Sequence, residues 1–90
     1  MSSIRAYGRA LSYQEKALAI RLSTLGEQHP DVAANYTHIG LVYYDAGDYD
    51  QALDFYNKSL EIKLATLGEQ HLDVALAYSS LGYLYRNKGA

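Results

Sequence analysis

Apolar side chains recur at intervals of three and four along almost the whole chain, and that spacing predicts four helices. Residues 4–24 carry Tyr7, Ala10, Leu11, Leu18 and Leu22 in helical register, without a proline. Ser2 or Ser3 is placed to cap this helix, and Gly26 sits where a left-handed residue ends one. A second helix begins at Pro30, fixed in φ and followed by the dipole-favoured Asp31, and runs to Asp45. Val32, Tyr36, Ile39 and Tyr43 share its face with Gly40, where a missing side chain invites close approach of another helix. Ala46-Gly47-Asp48 then makes a tight turn, and Asp48 caps a third helix spanning Tyr49 to Thr66.

That third helix has two apolar stripes: Tyr49, Ala52, Leu53, Tyr56, Leu60, Leu64 and Leu67 on one side, and Phe55, Ser59 and Ile62 on another. Two stripes are expected of a helix held between two neighbours. The fourth helix, Asp73 to Asn87, presents Val74, Tyr78, Leu81 and Tyr85 with Gly82 among them, which like Gly40 is expected at a close helix–helix contact. The order is long, short, long, short, and no alternating strand pattern competes with it.

The pattern repeats. Leu25-Gly26-Glu27-Gln28-His29 returns as Leu67-Gly68-Glu69-Gln70-His71, and sliding residues 7–48 onto 49–90 gives 20 identities in 42 pairs. A fixed period of this size marks a repeat architecture. The 90 residues are expected to form one solenoid domain (1–90) of two 42-residue units, 7–48 and 49–90.

Composition narrows the function. Apolar residues make up 49% of the chain and charged residues 20%, which excludes a disordered chain. A net charge of −2 without a basic cluster argues against nucleic acid and anionic membranes as partners. With no cysteine, neither a disulfide frame nor a thiolate metal site is available. No apolar run reaches the ~18 residues of a membrane span, and Met1-Ser2-Ser3-Ile4-Arg5 does not open a signal peptide, so a cytoplasmic protein is expected.

Ile39-Gly40, Tyr43, Gly47, Tyr49, Ala52, Tyr56 and Leu60 have a spacing that resembles the tetratricopeptide repeat. The usual unit of that family has about 34 residues and ends in a proline. Here Leu64 holds the proline position and the long helix continues to Leu67-Gly68, a 42-residue form similar to the repeats of kinesin light chains. The resemblance implies an all-α fold, a right-handed α-solenoid of antiparallel helix pairs with the shorter helices lining a concave wall. It also implies a protein-interaction scaffold that takes a peptide or partner helix in that groove, with no cofactor.

Carried onto this chain, the groove positions implied in the first unit are Ala34, Thr37, His38, Leu41, Tyr44 and Asp45. In the second they are Leu76, Ser79, Ser80, Tyr83, Arg86 and Asn87. Relatives of the long class often have paired asparagines where Thr37-His38 and Ser79-Ser80 stand here, so the usual amide clamp on a peptide backbone is absent. Tyr36, Tyr43, Tyr78 and Tyr85 fall at structural positions of the repeat and are expected in the core, whereas Tyr44 and Tyr83 face the groove.

Catalytic and metal chemistry find little support. His29 and His71 stand at equivalent joints and read as helix-capping residues, and His38 has no partner at ligand spacing. Asp45, Asp48, Asp50 and Asp54 lack the alternate-position ligands of a calcium loop and instead surround a helix start. No glycine-flanked nucleophile or phosphate loop is present, and an enzyme is not expected.

The alternative to groove binding is self-association. Terminal repeat units normally carry a polar capping face. Here Tyr7, Leu11 and Leu18 at the start and Leu81, Leu84 and Tyr85 at the end stay apolar. Residues 73–88 of one copy are therefore expected to pack on 7–24 of another, making a homo-oligomer, with residues 1–6 turned outward.

Overall fold

The computed structural model describes residues 4–88. They form α1 (Ile4–Leu25), α2 (Pro30–Asp45), α3 (Tyr49–Leu67) and α4 (Leu72–Lys88), with no strand among them. The caps expected of Ser2 or Ser3 lie outside the described residues.

The joints are built from local chemistry. Gly26, Gly47 and Gly68 have φ of 87°, 85° and 86°, a left-handed region that costs glycine nothing and any other residue strain. At the α2–α3 joint the Asp48 N–H donates to the Tyr43 carbonyl (2.9 Å) and the Gly47 N–H to the Tyr44 carbonyl (3.0 Å). That pair of bonds is a Schellman stop, and it settles carbonyls that α2 would otherwise leave open. Asp48 also starts α3, its Oδ1 accepting from the Gln51 N–H at 3.3 Å. At both longer joints a histidine caps the next helix. His29 Nδ1 accepts from the Asp31 N–H and His71 Nδ1 from the Asp73 N–H, each at 3.0 Å.

Short joints make sequence neighbours antiparallel, and the main packing runs α1 on α2, α2 on α3 and α3 on α4. The two-sided helix α3 has a neighbour on each side. Ala52, Leu53, Tyr56 and Leu60 form one cluster with Val74, Leu81 and Leu84 of α4. Ile62 joins a second cluster with Val32 and Ala33 of α2, against which Leu18 and Leu22 of α1 pack.

Polar ties reinforce each seam. Arg21 Nη1 donates to Asn35 Oδ1 at 2.7 Å, and Asn35 Nδ2 donates to Gln14 Oε1 at 3.2 Å, so a fully buried amide joins α1 to α2. The Tyr7 hydroxyl donates to the Asp45 carbonyl at 2.8 Å. Thr37 and Ser59 share a hydroxyl–hydroxyl bond of 2.7 Å across the α2–α3 seam, and Lys88 pairs with Asp50 at 2.6 Å between α4 and α3.

Four expectations are corrected. Tyr78 and Tyr85 are 54% and 51% exposed rather than core, because they point away from α3. A Cβ on Gly82 would meet nothing within 4 Å, whereas one on its counterpart Gly40 would press against α3. The unpaired terminal faces also differ from those read in the sequence. Leu81 and Leu84 are buried on α3, and Tyr7, Leu11 and Leu18 are half-buried. The exposed row of α1 contains Tyr13 and Ile20 instead, and residues 4–6 continue α1 as helix where an outward turn was expected. The exposure of Tyr78, Tyr85, Tyr13 and Ile20 and the open space at Gly82 have one cause: each repeat encodes contacts to two neighbours, and among the described residues α1 and α4 pack extensively on one each.

Candidate interaction groove

A trough runs between α2 and α4 with α3 as its floor. Its larger part, about 360 Å³, is lined by Leu41 and Tyr44 of α2, Tyr56 of α3, and Leu76, Ser79, Ser80, Tyr83 and Leu84 of α4. A continuation of about 220 Å³ is lined by Thr37 of α2, by Tyr56, Ser59 and Lys63 of α3, and by Leu76, Ala77 and Ser80 of α4. Tyr56, Leu76 and Ser80 line both parts, which makes one continuous surface.

Helical spacing explains the lining. Thr37, Leu41 and Tyr44 are four and three residues apart on α2, and Leu76, Ser80 and Tyr83 are likewise four and three apart on α4. Each set forms one row along its helix. The third row, Tyr56, Ser59 and Lys63, comes from the side of α3 between the two shorter helices.

The trough is chemically graded. Leu41, Leu76 and Tyr83, exposed by 46%, 57% and 57%, offer apolar surface at one end. The hydroxyls of Thr37, Ser59 and Ser80 and the ammonium of Lys63 sit at the other, and no ion pair holds Lys63 among the described residues.

Tyr44 and Tyr83 close the apolar end as a latch. Their ring centroids are 6.0 Å apart, Tyr49 packs on Tyr44 at 5.5 Å, and Asn87 Nδ2 donates to the Tyr44 hydroxyl at 2.6 Å. Desolvation in this cluster, then the hydrogen-bonding influence of Tyr83, pushes the Tyr44 hydroxyl above the ordinary tyrosine pKa. Tyr83 is drawn below it, first by the Tyr44 hydroxyl and then by the Asn87 amide. Burial, with a smaller push from the Asp45 carboxylate, raises Tyr56.

Of the groove residues named from sequence, Thr37, Leu41, Tyr44, Leu76, Ser79, Ser80 and Tyr83 line the trough. Ala34, His38, Asp45, Arg86 and Asn87 do not line it, and all of these but Ala34 are exposed. The floor residues Tyr56, Ser59 and Lys63 were missed. The available signal was the pair of polar side chains, Ser59 and Lys63, in line with Tyr56 on an otherwise apolar side of α3. Among the described residues no three histidine or carboxylate side chains gather at metal-binding distance, and no helix is long and apolar enough to cross a membrane.

A family model described as tetratricopeptide repeat matches residues 6–65 and matches again over 40–89. No curated protein matches the sequence.

Proposed function

Because the chain belongs to the tetratricopeptide repeat family, whose repeats mediate protein–protein interaction, we propose that it holds a segment of a partner protein in the trough between α2 and α4. An aliphatic or aromatic side chain of the partner sits between Leu41, Leu76 and Tyr83. Its backbone polar groups meet Thr37, Ser59, Ser80 and Lys63. The single observation that carries this reading is the continuity of the two lined cavities across three helices, apolar at one end and hydroxyl-lined at the other. A surface of this kind suits a segment with one apolar anchor and satisfiable backbone groups. The units are the 42-residue stretches 7–48 and 49–90, of the long class that kinesin light chain repeats exemplify. The work is that of a scaffold, in line with the non-catalytic character of the family.

The test is selection of peptides from a random display library on the immobilised chain, followed by titration of the winners. Peptides carrying an apolar anchor are expected, with binding weakened about tenfold or more, ~1.4 kcal/mol, by Leu76→Asp. His38→Ala and Arg86→Ala, outside the lining, should leave it intact. Undiminished affinity in Leu76→Asp, or amide shifts confined to α1, would remove the trough as the site.

A further inference from the structure

On the reading that the trough takes an apolar side chain of a partner segment, we infer that Asn87, itself outside the lining, is a positioning residue for that site. Through the Tyr44 hydroxyl it holds the Tyr44 and Tyr83 rings together, and so selects a narrow aliphatic anchor over an indole-sized one.

Tyr83 and Asn87 are four residues apart and share one face of α4. They grip Tyr44 of α2 at two points. The Tyr83 ring lies on the Tyr44 ring with centroids 6.0 Å apart, and Asn87 Nδ2 donates to the Tyr44 hydroxyl at 2.6 Å. Tyr49 supports the Tyr44 ring from α3 at 5.5 Å. A ring pair alone tolerates sliding and tilting, whereas the amide fixes the hydroxyl and with it the orientation of the ring. Tyr83 is 57% exposed, so its place in the wall depends on Tyr44 rather than on burial. Elsewhere α4 packs extensively on α3, through Val74, Leu81 and Leu84. The grip on Tyr44 therefore sets the width of the trough at its apolar end.

Helix packing does not require this grip. Moving 42 residues back turns Tyr83 and Asn87 into Leu41 and Asp45 of α2. Both are exposed, and α2 packs on α1 and α3 without a ring or an amide at those places. The network is thus free to shape what the trough accepts. The cavity of about 360 Å³ is drawn out over two turns of α4, from Tyr83 back to Leu76, so it is long and narrow. A leucine-sized group fits beside the two rings, against Leu41 and Leu76. An indole has to part rings that are already in contact, and parting them stretches the Asn87–Tyr44 bond. Discrimination against the broad anchor then amounts to about three- to tenfold in affinity, the worth of one hydrogen bond.

N-acetyl-leucinamide and N-acetyl-tryptophanamide, titrated into the 90-residue chain and followed by the methyl resonances of Leu41 and Leu76, test this. The wild type should bind the leucine amide more tightly. Asn87→Ala and Tyr44→Phe should each raise the affinity for the tryptophan amide relative to the leucine amide by about three- to tenfold. The double variant should go no further than either alone. A purely structural loss lowers both affinities alike and leaves their ratio untouched. In Asn87→Ala the Tyr83 hydroxyl should also titrate higher, because a donor that favours its ionised form is gone. A ratio unchanged in both single variants, or effects that add in the double one, overturns the inference and leaves the trough as the site. If neither amide shifts Leu41 or Leu76, the groove reading falls and this inference falls with it.

Discussion

A Cβ at Gly40 would stand 2.7 Å from Cδ1 of Tyr56 and 3.2 Å from the Ala52 carbonyl oxygen. Gly40→Ala should therefore force α2 and α3 apart and destabilise the chain by about 1–3 kcal/mol. Gly82, the same residue of the second repeat, has open space and should respond oppositely. Gly82→Ala is expected to stabilise by about 0.5–1 kcal/mol through helix propensity. Urea unfolding of the two variants checks the pair; equal shifts of the midpoint in one direction would contradict it.

Asn35 is 1% exposed and holds both Arg21 and Gln14. Asn35→Ala should cost about 1–3 kcal/mol by leaving those groups without their partner. The second repeat has Tyr56 and Ala77 where the first has Gln14 and Asn35, and packs this position through apolar surface. Gln14→Tyr combined with Asn35→Ala should thus recover part of the loss. A double-mutant cycle with no positive coupling would refute this.

His71 caps α4 through Nδ1. His71→Ala should cost about 0.5–2 kcal/mol, and His71→Asp, which restores an acceptor, should recover most of it. Thermal melting that ranks Asp with Ala would show that the cap contributes nothing.

Burial holds the Tyr56 hydroxyl above the ordinary value of about 10. Folding favours its neutral form, so its contribution is complete below about pH 10 and is lost as pH rises through the higher folded value. Tyr56→Phe removes the ionisation. Between about pH 9 and pH 11 the phenylalanine variant should lose less stability than the wild type. Equal losses would mean that Tyr56 titrates alike in folded and unfolded chains.

Helix limits and caps were legible because they rest on local chemistry: Gly26, His29-Pro30-Asp31, Gly47-Asp48 and Gly68 each act within a few residues. Burial was not, because it depends on which neighbours are present. Tyr36 and Tyr78 are the same residue of the repeat, yet only Tyr36 meets a ring of the next long helix. The groove was half legible. Rows on α2 and α4 followed from the repeat, but Tyr56 and Ser59 of the floor read as core and Lys63 was assigned to neither side, since a helix with two apolar sides hides the strip between them.

The joints of three or four residues also govern how the chain acquires its structure. Helices that pack extensively are adjacent in sequence, so no long loop has to close before native contacts form. The hairpin of α2 and α3, with the most extensive packing, is the natural nucleus, and α1 and α4 can zip onto it in either order. Among its described residues α1 has no fully buried side chain, which makes it the first helix to open. Amide exchange in native conditions should then be slowest in α3 and graded outward, fastest in α1.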